Sequence, residues 1–254
     1  MPLTIGLAQM RCEKGAIAAN LAAIQRTLQA SADQGVDILC FPEASITGYN
    51  DPTHYPDALL ALDGLEVVRF VALTNETSIT VLAGLLEANP AGKPYITQIV
   101  ARAGKLLGFY RKRTIPADEA HLFAPGPTAA PIFPHPTAPF GISICADIES
   151  AAVFAESARH GARLIFEAAA PGLYGAQETR DWRAGYEWWR GECFTKLARY
   201  ARENNVHIAV ATQAGRTSDE DFPGGGYVFA PDGTCLAETP DWSEGILYTT
   251  LPLS

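Results

Sequence analysis

The sequence predicts an α/β fold: a four-layer αββα sandwich built from two internally similar halves. Three observations carry this. Strand-like and helix-like patterns alternate along the 254 residues. The strands are apolar along most of their length, as expected where both faces of a sheet are covered. The second half also repeats the order of the first.

"LTIGLAQM" (3–10) reads as a strand. Residues 16–35 read as a helix, with Leu21, Ile24 and Leu28 on one face and Gly35 as the stop. "VDILCFPE" (36–43) is a strand ending at Pro42, and a helix follows over 64–77. Strands are expected over 79–88, 95–102 and 106–112, the last two forming a hairpin. The second half opens with the strand "GISICAD", then a helix over 150–161 that stops at Gly161. A strand (162–168), a helix (190–205) and strands over 206–215, 226–233 and 235–239 complete it. Gly35-Val36-Asp37-Ile38-Leu39 resembles Gly161-Ala162-Arg163-Leu164-Ile165, and the turn "RAGK" recurs as "PDGT". No Pro- or Ser-rich linker divides the halves, so residues 1–254 are read as one domain. Long loops are expected over 44–58, 113–139 and 169–187, where function commonly resides.

A net charge of −9 argues against nucleic acid or anionic membrane as a partner. No apolar run approaches the ~18 residues a membrane span needs, and the N-terminal residues do not resemble a signal peptide. The five cysteines are scattered and form no C-x-x-C pair; the five histidines show no metal-ligand spacing. Neither a disulfide framework nor a bound metal is expected, and a reducing, cytoplasmic setting fits best. "FPGGGYVFAPDG" has four glycines but lacks a phosphate-loop pattern and reads as a turn. "DWRAGYEWWRGE" (181–192) holds three of the four tryptophans; a pocket wall, a subunit interface and ordinary helix packing all explain it.

Three chemically capable residues stand at strand ends: Glu43 after "VDILCFP", Lys112 after "LLGFYR" and Cys145 after "GISI". The carboxyl ends of strands are where α/β folds usually build sites. A carboxylate can take a thiol proton, and an ammonium can hold a thiolate or an oxyanion. Taken singly, each has a bland reading: a packing cysteine, and a solvated acid and base.

The segments "FPEASITGY" (41–49), "YRKRTIPADEAHLFAPG" (110–126) and "GISICADIE" (141–149) resemble the three catalytic segments of the nitrilase superfamily, the carbon–nitrogen hydrolases. Gln9, Gly161-Ala162, "ARYARENNVHIAVATQAG" and "GGGYVFAPDGTCLAE" extend the resemblance over the chain. It implies an αββα sandwich with Glu43 as general base, Lys112 as oxyanion stabiliser and Cys145 as nucleophile. It also implies a second glutamate near the triad, Glu119; in the mechanism expected of such a site Glu119 positions water and the Ala146 N–H is a further oxyanion donor. Tyr49 and Glu167 are expected in the substrate pocket, with Glu167 either favouring a cationic substrate or paired with an arginine in 180–190. The sequence departs from the family after the cysteine, where Ala146 replaces an aromatic residue and "SAAVF" replaces a Phe-Pro-Glu run.

The expected activity is hydrolysis of a small amide or N-carbamoyl compound through a cysteine thioester, with no cofactor. Nitrile hydrolysis by the same residues is the alternative, although Ala146-Asp147 is closer to the amidase side. Acyl transfer to an amine and binding without catalysis are the further readings. A redox thiol is disfavoured because no other cysteine lies within forty residues of Cys145. Family members usually pair through helices near the cysteine segment, so a homodimer or higher even assembly is expected.

Overall fold

The structure is a computed structural model that describes residues 2–253. The first half runs β1 (Leu3–Gln9), α1 (Ile17–Ala32), β2 (Ile38–Cys40), α2 (Leu65–Leu73), β3 (Thr80–Glu87), β4 (Tyr95–Arg102) and β5 (Lys105–Arg111). The second runs β6 (Phe140–Ile144), α3 (Ala151–Arg159), β7 (Leu164–Ala169), α4 (Trp182–Asn204) and β8 (His207–Thr212). It continues through β9 (Ala214–Arg216), β10 (Asp221–Pro223), β11 (Gly226–Phe229) and β12 (Cys235–Glu238) to β13 (Gly245–Leu251).

The internal repeat is a repeat of topology. The first sheet has the order β13-β1-β2-β3-β4-β5 and the second β12-β11-β8-β7-β6. Within each, the first three strands of the half are parallel and the last two antiparallel. The two hairpin turns contain Gly104 and Gly233, both at positive φ, where a Cβ would strain the backbone.

Alternation along the strands divides the core into three layers. Between the sheets lie Leu3, Ile5, Leu7, Ile38, Leu82 and Val100 from one side and Phe140, Ile142, Leu164, Phe166 and Ala209 from the other. Leu21, Ile24 and Leu28 of α1 and Val67 and Phe70 of α2 cover the outer face of the first sheet. Val153 and Phe154 of α3 and Trp189, Cys193, Leu197 and Tyr200 of α4 cover the second. The sandwich follows from this: each sheet has two apolar faces, one met by helices and one by the other sheet.

Three elements differ from expectation. Helix α4 begins at Trp182 rather than 190, shortening the expected loop 169–187. Asp181 caps it, its side chain accepting from the Ala184 N–H at 3.0 Å. Strand β13 was not expected; it pairs antiparallel with β1 at the sheet edge, and its partial exposure weakens the apolar signature. The strand expected over 206–215 divides at Gln213 into β8 and β9, and β9 pairs with β10. Asp221 fixes that hairpin, accepting from Arg216 Nε at 2.9 Å and Arg180 Nε at 2.8 Å. Among the described residues no helix is long and apolar enough to cross a membrane.

Candidate active site

Glu43 follows β2 at a sharp turn. Ala44 has a φ of 50°, which non-glycine residues rarely adopt. Gly84 on β3 makes room, since a Cβ there would stand 2.2 Å from the Ala44 nitrogen. The turn is tied by Gly84 N–H to Ser45 Oγ (2.9 Å) and by Ile46 N–H to the Gly84 carbonyl (2.8 Å). Gln98 Nε2 donates to the Phe41 carbonyl at 2.9 Å. The Glu43 side chain is fully buried. Its Oε1 accepts from Lys112 Nζ at 2.8 Å and its Oε2 from the Ala170 N–H at 2.9 Å.

Lys112 lies one residue past β5 and is 1% exposed. Its backbone N–H donates to the Ile96 carbonyl (2.8 Å) and its carbonyl accepts from the Gly126 N–H (2.7 Å). Nζ also stands 5.6 Å from the centroid of the Tyr49 ring, a cation–π contact. Burial pushes the lysine pKa down, but Glu43, Cys145 and Glu119 together hold it above its ordinary value, so the ammonium keeps its proton. Burial raises the Glu43 pKa, and Lys112 opposes that rise.

Cys145 directly follows β6 and begins a short 3-10 turn, Cys145–Glu149. Its φ of 46° is a strained conformation of the kind that accumulates at functional sites. Cys145 shares the cavity wall with Lys112 and Ala170, and its thiol feels the charges of Glu43 and Lys112. Burial, then Glu43, pushes its pKa well up, and Lys112 pulls it down. The resting group is therefore a neutral thiol with a base and a cation beside it. The next residue, Ala146, carries its N–H in the first turn of this segment, where amides have no intrahelical partner.

A cavity of about 290 Å³ opens over Cys145, with Tyr49, Lys112, Glu119, Leu173 and Trp188 in its walls. Tyr49 O–H donates to Glu119 Oε1, while Glu119 Oε2 is buried without a partner. Asp118 and Glu220 also line the cavity. Glu220 comes from the β9–β10 hairpin and pairs with Lys14 at 3.0 Å. Arg180 anchors the rim, donating to the carbonyls of Leu173 (2.8 Å), Tyr174 (2.6 Å) and Gly175 (3.1 Å).

The structure thus brings Glu43, Lys112, Cys145, Glu119 and Tyr49 together. Glu167 is elsewhere. It is fully buried on β7, accepts from Ser143 Oγ at 2.5 Å, and among the described residues neither lines the cavity nor pairs with an arginine of 180–190. Alternation explains this: Phe166 and Ala168 face the other sheet, so Glu167 faces the helices. Glu220, Arg180 and Asp147 were not picked out as site residues from sequence. The first two act through the β9–β10 hairpin, whose strands are too short to leave a pattern.

The chain is similar to a glutamine-dependent NAD(+) synthetase of Acinetobacter baylyi, at 26% identity over 251 residues, covering 96% of this chain and 43% of that protein. It is similar to a formamidase of Bradyrhizobium sp., at 27% over 203 residues, covering 80% of this chain and 56% of that one. The chain thus spans about two fifths of the synthetase's length. In structure it resembles an amidase of the nitrilase superfamily from Nesterenkonia AN1, with a TM-score of 0.83 and 23% identity, covering 98% of this chain and 90% of that one. That likeness agrees with the αββα sandwich described above. Residues 4–254 match the carbon–nitrogen hydrolase family, and the chain belongs to it.

Proposed function

We propose that the protein hydrolyses the carbon–nitrogen bond of a small, linear amide or N-carbamoyl compound through a thioester on Cys145. The observation that carries this reading is the buried Glu43–Lys112 ion pair, with Lys112 and Cys145 together in the wall of one cavity.

An amide carbonyl is a poor electrophile, so the reaction needs both an activated thiol and oxyanion support. Glu43 takes the thiol proton as sulfur attacks the carbonyl carbon. Lys112 and the Ala146 N–H stabilise the oxyanion; one such donor is typically worth about 3–4 kcal/mol. As the tetrahedral intermediate collapses, Glu43 returns the proton to the leaving nitrogen, and ammonia or an amine departs. Water, held by Glu119, then gives a proton to Glu43 and attacks the thioester. The acid leaves, and the proton returns to sulfur.

The cavity lies at the small end of the roughly 300–1,000 Å³ typical of ligand sites, which favours a small substrate. Asp118, Glu119 and Glu220 at its walls oppose a carboxylate on the substrate. The relatives point the same way: they include formamidases. Acrylamide adds to the active-site cysteine of a glutamate-to-glutamine variant of the Nesterenkonia amidase.

The test is an ammonia-release screen over formamide, short aliphatic amides, glutamine, carbamoyl amines and nitriles, with Cys145→Ala as control. Release from neutral amides that the control abolishes is expected. Release that survives in Cys145→Ala, or release from nitriles alone, overturns the proposal.

A further inference from the structure

Asp147 is fully buried, and both of its carboxylate oxygens are used twice. Oδ2 accepts from the Tyr110 hydroxyl at 2.7 Å and from the Ile144 N–H at 3.0 Å. Oδ1 accepts from the Thr114 N–H at 2.8 Å and from the Arg113 N–H at 3.1 Å. These donors are not scattered. Tyr110 stands two residues before Lys112, Arg113 and Thr114 directly follow it, and Ile144 directly precedes Cys145. The Arg113 guanidinium is engaged elsewhere, pairing with Glu156 at 2.8 Å. One carboxylate therefore grips the chain on both sides of the lysine and on the N-terminal side of the nucleophile.

We propose that Asp147 is a positioning residue that fixes the distance between Cys145 and Lys112. The two arrive on different sheets: β5 delivers the lysine and β6 the cysteine. Glu43 is held independently, by the Gly84 approach on β3 and by Ala170. Without a link between the end of β5 and the turn at Cys145, the Glu43–Lys112 pair keeps its geometry while the thiol drifts from it. Cys145 is also the residue with strained backbone, and the Asp147–Ile144 bond closes the turn that imposes the strain. No cation neutralises Asp147 through these four bonds. Its partners are three amides and a hydroxyl with fixed directions, so it acts by geometry rather than by adding charge to the pocket.

Asp147→Asn tests this. The amide retains one oxygen, but its NH₂ group faces donors that formerly met an acceptor. Tyr110→Phe removes a single donor, remote from substrate, and keeps the ring packing. For each variant we would measure kcat and KM for an amide that the wild type turns over. The rate of alkylation of Cys145 by iodoacetamide would be measured against pH. Circular dichroism and thermal melts report folding.

A folded Asp147→Asn should show KM within about threefold of wild type and a kcat reduced about 100-fold, the loss expected from an ångström-scale misplacement. Its neutral-pH alkylation should slow at least about tenfold, with the pH midpoint moved up, because the thiol has lost part of its contact with Lys112. Tyr110→Phe should shift the same quantities in the same direction by a smaller factor. A purely structural role would lower the melting temperature and leave the alkylation profile in place; that result overturns the proposal. Should Asp147→Asn not fold, Tyr110→Phe decides: unchanged kcat and alkylation in that variant also overturn it. The proposal rests on Cys145 being the nucleophile, yet alkylation needs no turnover. If the wild type hydrolyses no amide, the function proposed above fails, while the alkylation profiles still judge Asp147.

Discussion

The Ala170 N–H donates to Glu43 Oε2 at 2.9 Å, joining the end of β7 to the residue that follows β2. The bond crosses from one half of the molecule to the other, and with Lys112 on Oε1 it fixes the carboxylate in both directions. A group held this way can exchange a proton with the neighbouring thiol without first reorienting. Glu43→Gln keeps the shape but places an amide NH₂ against either the Lys112 ammonium or the Ala170 N–H. General-base losses usually run to about 10²–10⁴-fold. Turnover should fall by about 10³-fold, and because the same group activates water, any acyl-enzyme formed should resolve slowly. Intact-protein mass spectrometry of the variant after mixing with substrate should find an adduct on Cys145. An unmodified protein with near-normal turnover would remove Glu43 from the mechanism.

Lys112 and Glu43 are 1% and 0% exposed, so each is the other's compensation for leaving water. Lys112→Met should destabilise the fold by about 3–5 kcal/mol, the usual consequence of stranding one buried charge. Adding Glu43→Gln should restore most of that loss, since a neutral pair needs no counter-ion. Neither variant should turn over. Urea melts together with an ammonia assay separate stability from activity. A double variant as unstable as the single one would show that the pair's charges do not compensate each other.

The same residues show how far sequence reaches. Glu43, Lys112 and Cys145 were legible because each follows an apolar run; β2 and β6 are buried throughout, while β5 is a partly exposed edge strand whose run is still apolar. The three motifs then supplied the convergence that spacing alone could not. What was not legible depends on contacts between distant segments. Glu167 looked like an entrance residue because it follows "RLIF", yet its strand position turns it toward α3 and α4. Asp147 carries three of its four bonds to residues more than thirty positions away. The sequence pattern gives only the part of α4 from residue 190 on; Gly185 weakens the helical signal over the first two turns, although Asp181 offers an N-cap.

The proposed assembly gives a third prediction. The outer face of α3 presents Ala151 and Ala152 to solvent, with half-buried Ala155 and Ala158 beside them. On α4, Trp188 is 46% exposed. Small residues let helices approach closely, and an exposed tryptophan is a common interface anchor. A homodimer through these helices is expected, with light scattering giving twice the chain mass at micromolar concentration. Ala152→Glu, at an exposed position, should yield a folded monomer. A wild-type monomer at that concentration overturns the prediction.

Burial holds the Glu167 carboxyl well above its ordinary value of 4.5, against the opposing bond from Ser143. In the unfolded chain the group ionises near that ordinary value. Above it, the folded state holds a proton that the unfolded state has released. The group's contribution to stability is therefore complete below about pH 4.5 and declines as pH rises toward the folded pKa. The decline is about 1.4 kcal/mol per pH unit over that window. Glu167→Gln carries no titrating proton and still offers Ser143 an acceptor. Its stability relative to wild type should rise in urea melts as pH increases above about 4.5, whatever the absolute offset. Parallel stability curves for the two proteins would mean that Glu167 titrates normally in the fold. Because the side chain faces the helices and not the cavity, the ratio of kcat/KM for cationic and neutral amides should not change in this variant. A shift in that ratio would return Glu167 to the substrate pocket.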